Sequence, residues 1–434
     1  MLTTDKYSIE ETLLKSYDRK LNHSGVSGER LARRLGQLSK IGSTKERGSL
    51  RIGFSKEERQ AKELVKSWML EAGLKVREDG AGNIFGKLDG REEKNFSVLS
   101  GSHVDSVPNG GHFDGPLGVL ASLEVVEAWK NTNYIPKCSY EVVIFSDEEG
   151  SRFNGGLRGS RAVCGELDME EEKQKKDLYG ASFQEVIESD GLTLEGFHDA
   201  RRDVNEIKAF VEVHIEQGTT LEKENVPVGI VTGIAGPSWL KINFIGKAGH
   251  AGNTPMNARA DALAAASEFV GEVSRMPERV SRTAVATVGK LHVYPNGVNV
   301  IPGKVELYVD IRDIQQKTLD LLTEEVSKKA MEIGKKHNVS VEYQQTLNVA
   351  PVPIEKDMQM KLIEAVEANG IKPILLPSGA GHDAMVLGRH VPSAMIFVRS
   401  KDGISHNPNE WTTLDDCIQS VHVLKNMVET LVSK

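Results

Sequence analysis

Cysteine is scarce in this chain. Cys138, Cys164 and Cys417 are the only three in 434 residues. They form no CxxC pair and no disulfide framework, which excludes a disulfide-stapled scaffold and favours a reducing compartment. An excess of positive charge is also missing: the formal net charge is -8, which argues against a nucleic-acid-binding surface. No apolar run approaches the roughly 20 residues that span a bilayer. The start, Met1-Leu2-Thr3-Thr4-Asp5-Lys6, lacks the basic and then apolar stretches of a secretory leader. A cytoplasmic protein with no membrane partner is the expectation. There is no GxSxG elbow for a serine nucleophile. A phosphate-binding glycine loop is absent too, so no nucleotide cofactor is expected.

With 39% hydrophobic and 27% charged residues, the chain has the balance of a globular protein able to bury a sizeable core. Its length leaves room for two or three domains. Ser55-Lys56-Glu57-Glu58 reads as a capping box that opens a helix ending near Glu71, before Ala72-Gly73. Strands are predicted at Phe96–Ser100, Tyr140–Ser146 and Lys208–His214, with a helix from Pro116 to about Lys130 between the first two. Such alternation implies a parallel or mixed sheet. Near Val231 the pattern changes. Strands at 238–246, 284–293, 304–312 and 339–346, with helices at 258–274 and 318–337, give the β-α-β-β-α-β order of a ferredoxin-like sandwich. Alternation then resumes with a helix at 356–368, a strand at 393–398 and a helix from Leu414 onward. The fold class expected is therefore α/β: a mixed-sheet domain, 1–232 and 347–434, interrupted by an α+β domain at 233–346. The acidic stretch 166–203 reads as irregular, helical in part and peripheral.

The chemistry concentrates where predicted strands end, the place where open α/β sheets bind ligands. His103 and Asp105 follow the first strand, and Asp114 lies just before Gly115-Pro116. Asp114 is a candidate helix cap as well as a candidate ligand, since capping leaves one carboxylate oxygen free. Glu148 and Glu149 follow the second strand. Alternation there would point them to opposite sides, one toward a metal and the other toward a substrate. His214 ends the third strand, and His406 lies in the loop after the last. Imidazole and carboxylate together suit a catalytic transition metal. Three histidines and two or three acids suffice for two ions, a recurring hydrolytic arrangement. Asp105 is placed to accept the second ring N–H of His103 and fix its tautomer. His112 is set aside, and His23, His198, His337 and His422 read as surface residues.

Taken together, GSHVDSVPNGGHFDGPLGV, FSDEEGSRF, VEVHIEQG, GHAGNTPM, VNVIPG, LPSGAGHD and ISHNPNEW resemble the M20 metallopeptidase-like amidohydrolases, most closely the N-carbamoyl-L-amino-acid hydrolases. Allantoate amidohydrolases and β-ureidopropionases are near relatives. The resemblance runs from about Gly36 to Lys425. It implies a di-metal exopeptidase-like catalytic domain with an inserted lid and dimerisation domain. It further implies that His103, Asp114, Glu149, His214 and His406 are the ligands of two divalent ions (Zn, Mn or Co), with Asp114 bridging. Glu148 would be the general base and Asp105 would orient His103. His250 would polarise the substrate carbonyl, reaching across a homodimer. Gln217, Asn299, Arg312 and His382 would bind a small ureido or carbamoyl substrate. Arg312 also reads as a structural partner of Asp310 or Asp313. Asn253 and the run Ala258-Arg259-Ala260-Asp261 depart from the family pattern near the lid pocket. A dipeptidase or aminopeptidase, an allantoate hydrolase and a non-catalytic binding protein are the competing readings.

Overall fold

The computed structural model describes residues 8–433, so the reading of Met1 to Lys6 lies outside the described residues. The chain divides into two compact units. The first comprises the chain up to Val231, Ile354–Leu376 and His382 onward; the second comprises Thr232–Pro353 and Pro377–Gly381.

The first unit begins with helices at Ile9–Leu14, Gly28–Leu38 and Lys56–Glu71. Ser55 caps the last of these by accepting from the Glu58 N–H. The cap is not the reciprocal box that the spacing suggests, because the Glu58 carboxylate turns inward. It accepts from the Phe54 N–H and pairs with the fully buried Lys62, 2.7 Å away. Strands follow at β1 (Lys75–Glu78), β2 (Ile84–Leu88), β3 (Glu93–His103), β4 (Cys138–Phe145), β5 (Ile207–Ile215) and β6 (Val228–Ile234). β6 runs on into the second unit.

In the second unit lie β7 (Gly236–Ile245), β8 (Gly249–His250), β9 (Val285–Tyr294), β10 (Val300–Ile301), β11 (Lys304–Asp313), β12 (Ser340–Asn348) and β13 (Val352–Pro353). Its main sheet has the order β12-β7-β11-β9, every neighbour antiparallel. Strict alternation along β11 turns Val305, Leu307, Val309 and Ile311 inward, where they pack with residues of the helices Ala262–Val273 and Gln316–Lys336. That is the ferredoxin-like order. The helix predicted from Ala258 starts later, at Ala262, because the Asp261 carboxylate accepts from the Leu263 and Ala264 N–H groups and caps it there. Arg259 instead donates to the carbonyls of Ala251 and Thr254.

The chain continues through a helix at Lys356–Ala368, β14 (Leu375–Ser378) and β15 (Ser393–Val398), and finishes with a helix at Leu414–Val432. Within the first unit the strand order is β1-β2-β4-β3-β5-β15-β6. The four central strands β4, β3, β5 and β15 are mutually parallel, and the strands on both sides are antiparallel. Their nearly unbroken apolar runs are what a sheet covered on both faces requires. The helix Pro116–Thr132 is buried along most of its length against this sheet. The 166–203 stretch is helical in part, as expected, with three short helices; beyond that expectation, Phe183, Val186, Ile187 and Phe197 pack with Phe54 and Phe153 into a small core of their own. Among the described residues no helix is long and apolar enough to cross a membrane.

Candidate metal centre

Parallel strands end at the same edge of a sheet, and side chains just past those ends share a crevice. His103 is the last residue of β3; Glu148 and Glu149 follow β4; His214 is the penultimate residue of β5; and His406 follows β15 and a short 3-10 turn at Lys401–Gly403. Four adjacent strands thus deliver five of the candidate side chains to one edge. Asp114 comes from the loop after β3. It does not cap the following helix, as its position suggested: the N-cap is Gly115, at φ 79°, with no side-chain hydrogen bond. The Asp114 carboxylate is left for the pocket.

Two donor triads result, His103–Asp114–His214 and Asp114–Glu149–His406, each with its ligand atoms within 4.8 Å of one another. Asp114 belongs to both. Its Oδ1 lies 3.5 Å from His103 Nε2 and 3.1 Å from His214 Nε2, and its Oδ2 lies 3.5 Å from His406 Nε2. His406 Nε2 is also 3.4 Å from Glu149 Oε2. All these groups are buried or nearly so except His406, whose side chain is 50% exposed.

The ring nitrogens decide what the triads can hold. His103 Nδ1 lies 3.1 Å from the Asp105 carbonyl and 3.4 Å from its carboxylate. His214 Nδ1 lies 2.9 Å from the Ile215 carbonyl. In the neutral rings Nδ1–H donates to those oxygens, which leaves Nε2 a lone pair. Both Nε2 lone pairs then face an Asp114 oxygen that is itself an acceptor. His103 Nε2 is buried without any hydrogen-bond partner. Lone pair against lone pair is repulsive unless a cation sits among them, and a divalent metal meets that need.

A proton can meet the same need when no metal is bound. Burial would push the His103 imidazole down, but the Glu148 charge and the hydrogen bonds to Asp105 and Asp114 hold it well above its ordinary value, so proton and metal compete for this site. Burial likewise opposes ionisation of Asp114, yet His214, His103 and His406 hold its carboxyl well below the usual range. Glu149 is pushed up to about 8, by burial and then by the Asp114 charge. Glu148 is raised well above its ordinary value, by burial and by Glu149 and Asp383. The pocket holds more acids than its three imidazoles can neutralise, so it has the electrostatics of a cation site.

Glu148 and Glu149 are not separated by strand alternation. β4 stops at Phe145 and Asp147 takes the left-handed φ of 50°. Both carboxylates therefore reach the same pocket, with Glu148 Oε2 3.6 Å from His103 Nε2. Asp105 holds their loop: its carboxylate accepts from the Glu148 N–H at 3.2 Å and the Glu149 N–H at 3.1 Å.

Gln217, left-handed at φ 56°, donates from Nε2 to Asp114 Oδ2 at 2.7 Å. The buried His382 ring lies 4.3 Å from that of His214, and burial together with the His214 charge pushes its imidazole well down. His250, Asn299 and Arg312 belong to the second unit. His250 Nδ1 accepts from the Gly252 and Asn253 N–H groups, both at 3.1 Å. Its hydrogen is therefore on Nε2, free to be donated. β8 pairs with β10, and the Asn299 carbonyl accepts from the Ala251 N–H, so Asn299 and His250 share one ribbon. Arg312 forks onto Asp310 with contacts of 2.8 to 3.2 Å and donates to the Gly379 carbonyl.

One histidine outside the pocket departs from the reading of the sequence. His422 is buried, not on the surface. Its Nε2 donates to the Leu21 carbonyl at 2.9 Å and its ring stacks on His23. His112 stays outside the triads, bonded to the Arg47 carbonyl. Two residues of the pocket were missed. Glu410 and Ser405 lie inside the ISHNPNEW motif but have the side chains of ordinary loop residues; the signal was their spacing around His406. Glu410 is buried and is pushed up to about 7 by its burial and by the Asp114 charge.

Residues 99–430 match the sequence profile of peptidase family M20/M25/M40. An N-carbamoyl-L-amino acid amidohydrolase of Geobacillus stearothermophilus is 44% identical over 403 residues, covering 93% of this chain and 98% of its own. An allantoate amidohydrolase of Bacillus subtilis (strain 168) is 35% identical over 394 residues, covering 91% and 95%. A crystal structure of an amidase of the hydantoinase/carbamoylase family from Burkholderia multivorans superposes with a TM-score of 0.87 at 34% identity, covering 94% of this chain and 99% of that one.

Proposed function

The chain belongs to peptidase family M20/M25/M40, and from that premise we propose that it hydrolyses the ureido C–N bond of N-carbamoyl-L-amino acids, giving the amino acid, ammonia and CO₂. The observation that carries this reading is the pair of imidazole lone pairs aimed at Asp114, with a free carboxylate, Glu148, beside them. His103, Asp114 and His214 would hold one divalent ion, and Asp114, Glu149 and His406 a second. Such ions, when bound, acidify a water and polarise a carbonyl.

The chain's own residues supply the rest. Glu148 takes the proton of the attacking water and returns one to the leaving nitrogen, the work of a positioned acid–base group. Burial and the neighbouring acids raise its proton affinity, which lets it hold the proton between the two transfers. Asp105 keeps His103 in the Nδ1–H tautomer. His250, with its hydrogen on Nε2, is assigned the carbamoyl oxygen, where donated hydrogen bonds stabilise developing negative charge. Arg312 is assigned the substrate carboxylate. Asp310 already fixes its guanidinium plane, so little rotamer freedom remains to be lost on binding. Asn299 and His382 complete the substrate contacts. Gln217, assigned to substrate on sequence grounds, donates to Asp114. The second unit is assigned a lid and dimerisation role, tested by sedimentation velocity.

The deciding experiment is ammonia release from N-carbamoyl-L-methionine and from allantoate, run beside hydrolysis of a dipeptide, with Mn²⁺ present. Carbamoyl-methionine should be the best substrate by kcat/KM. Preference for allantoate moves the chain to its allantoate-hydrolysing relatives, and cleavage of the dipeptide alone overturns the assignment.

A further inference from the structure

Asp114 and His406 must meet, yet they lie on loops from opposite ends of the chain. Asp114 follows β3, and His406 follows β15. One buried side chain touches both loops. Glu410 Oε1 accepts from the Phe113 N–H at 2.9 Å and from the Asp114 N–H at 3.1 Å, while its Oε2 accepts from Ser405 Oγ at 2.9 Å. Ser405 precedes His406 and also lies 2.8 Å from Asp114 Oδ2. Glu410 thus grips the backbone of one ligand and the neighbour of the other.

Two further observations support a dedicated role. A β-carbon at Gly111 would overlap the Glu410 carboxylate, so the loop carrying Asp114 is shaped to admit it. The same device occurs across the pocket, where the Asp105 carboxylate accepts two consecutive N–H groups, those of Glu148 and Glu149. Each carboxylate holds a ligand-bearing loop by two adjacent amides. A carboxylate is the side chain suited to this, since it offers acceptor oxygens only. Placing a buried anion beside anionic Asp114 is unfavourable by itself, and a cation held by Asp114 offsets it.

We infer that Glu410 is a positioning residue of the metal centre, tying the Asp114 loop to the Ser405–His406 loop so that the second donor triad is assembled before an ion arrives. This rests on the metal-dependent reading above. Partners that orient ligands in this way typically carry 10- to 100-fold in metal affinity.

The test is titration of Mn²⁺ into chelator-stripped protein by calorimetry, with circular dichroism of the metal-free forms. Glu410→Ala should weaken the weaker binding step about 10- to 100-fold, with turnover restored to within about threefold of the parent at saturating Mn²⁺. Glu410→Gln, which keeps an acceptor for both amides, should bind within about threefold of the parent. A folded Glu410→Ala protein with the parent's affinity overturns the inference, and so does a turnover defect that excess Mn²⁺ leaves unrepaired. If Glu410→Ala does not fold, Ser405→Ala decides: unchanged affinity at both steps overturns the tie, and a several-fold loss at the weaker step supports it. Failure of the parent protein to bind any divalent ion is a separate result, and it removes the metal-dependent reading itself.

Discussion

Gly115 lies against the imidazole of His103 so closely that a β-carbon at 115 would overlap the ring. The residue also has φ 79°, a conformation that side chains rarely adopt. Gly115→Ala should therefore displace His103 and strain the helix entry together. Mn²⁺ affinity should fall at least tenfold, an effect of the size seen when ligand orientation is lost. Unchanged affinity by calorimetry would show that the loop can move aside.

Glu148→Gln should reduce kcat by about 10²- to 10⁴-fold, the usual contribution of a positioned acid–base group. Metal content by elemental analysis should stay that of the parent, because Glu148 is in neither donor triad. Retained turnover would remove Glu148 as the base.

Chelation should abolish ammonia release, and Mn²⁺, Co²⁺ or Zn²⁺ should restore it. His406 is half exposed while His103 and His214 are buried. Ion loss should accordingly be biphasic, with the His406-side ion leaving first, and His406→Ala should remove the fast phase. An enzyme indifferent to chelators would defeat the metal assignment.

Arg312→Ala should raise KM for carbamoyl amino acids strongly and leave KM for the corresponding amides unchanged. Asp310→Asn should raise it less, since the guanidinium loses its fixed plane but keeps its charge. Equal KM values for parent and Arg312→Ala would return Arg312 to a purely structural role.

Burial holds the His422 imidazole down, to about 4. An unfolded histidine titrates near 6.5, so between these values the unfolded chain binds more protons than the folded one. Stability from this group is complete above about pH 6.5 and is lost as pH falls toward 4, by an amount of order 2–3 kcal/mol. In metal-free protein, His422→Gln should lose less Tm than the parent between pH 7 and pH 5. Equal losses would assign the acid sensitivity elsewhere.

Much of this was legible beforehand, for identifiable reasons. β15 and the helix Lys356–Ala368 begin and end where predicted, because apolar runs bounded by turn residues leave little freedom. Among the donors of the two triads, His103, Glu149 and His214 were legible because they stand at or just past the ends of such runs. What escaped was set by tertiary contacts. Asp114 was expected to cap a helix as well as to offer a donor, but it caps nothing and its carboxylate is turned to three imidazoles. His422 looked solvated until the Leu21 carbonyl and the His23 ring enclosed it. Glu410 escaped because only Ser405, among its partners, is local; the two amides that it holds lie 296 and 297 residues away.

That dispersal has a consequence for biosynthesis. A ribosome must pass residue 406 before the imidazole that completes the second donor triad exists, so no nascent fragment that ends within the second unit carries both triads. Assembly of the pocket is then a late event, completed only by the last quarter of the chain.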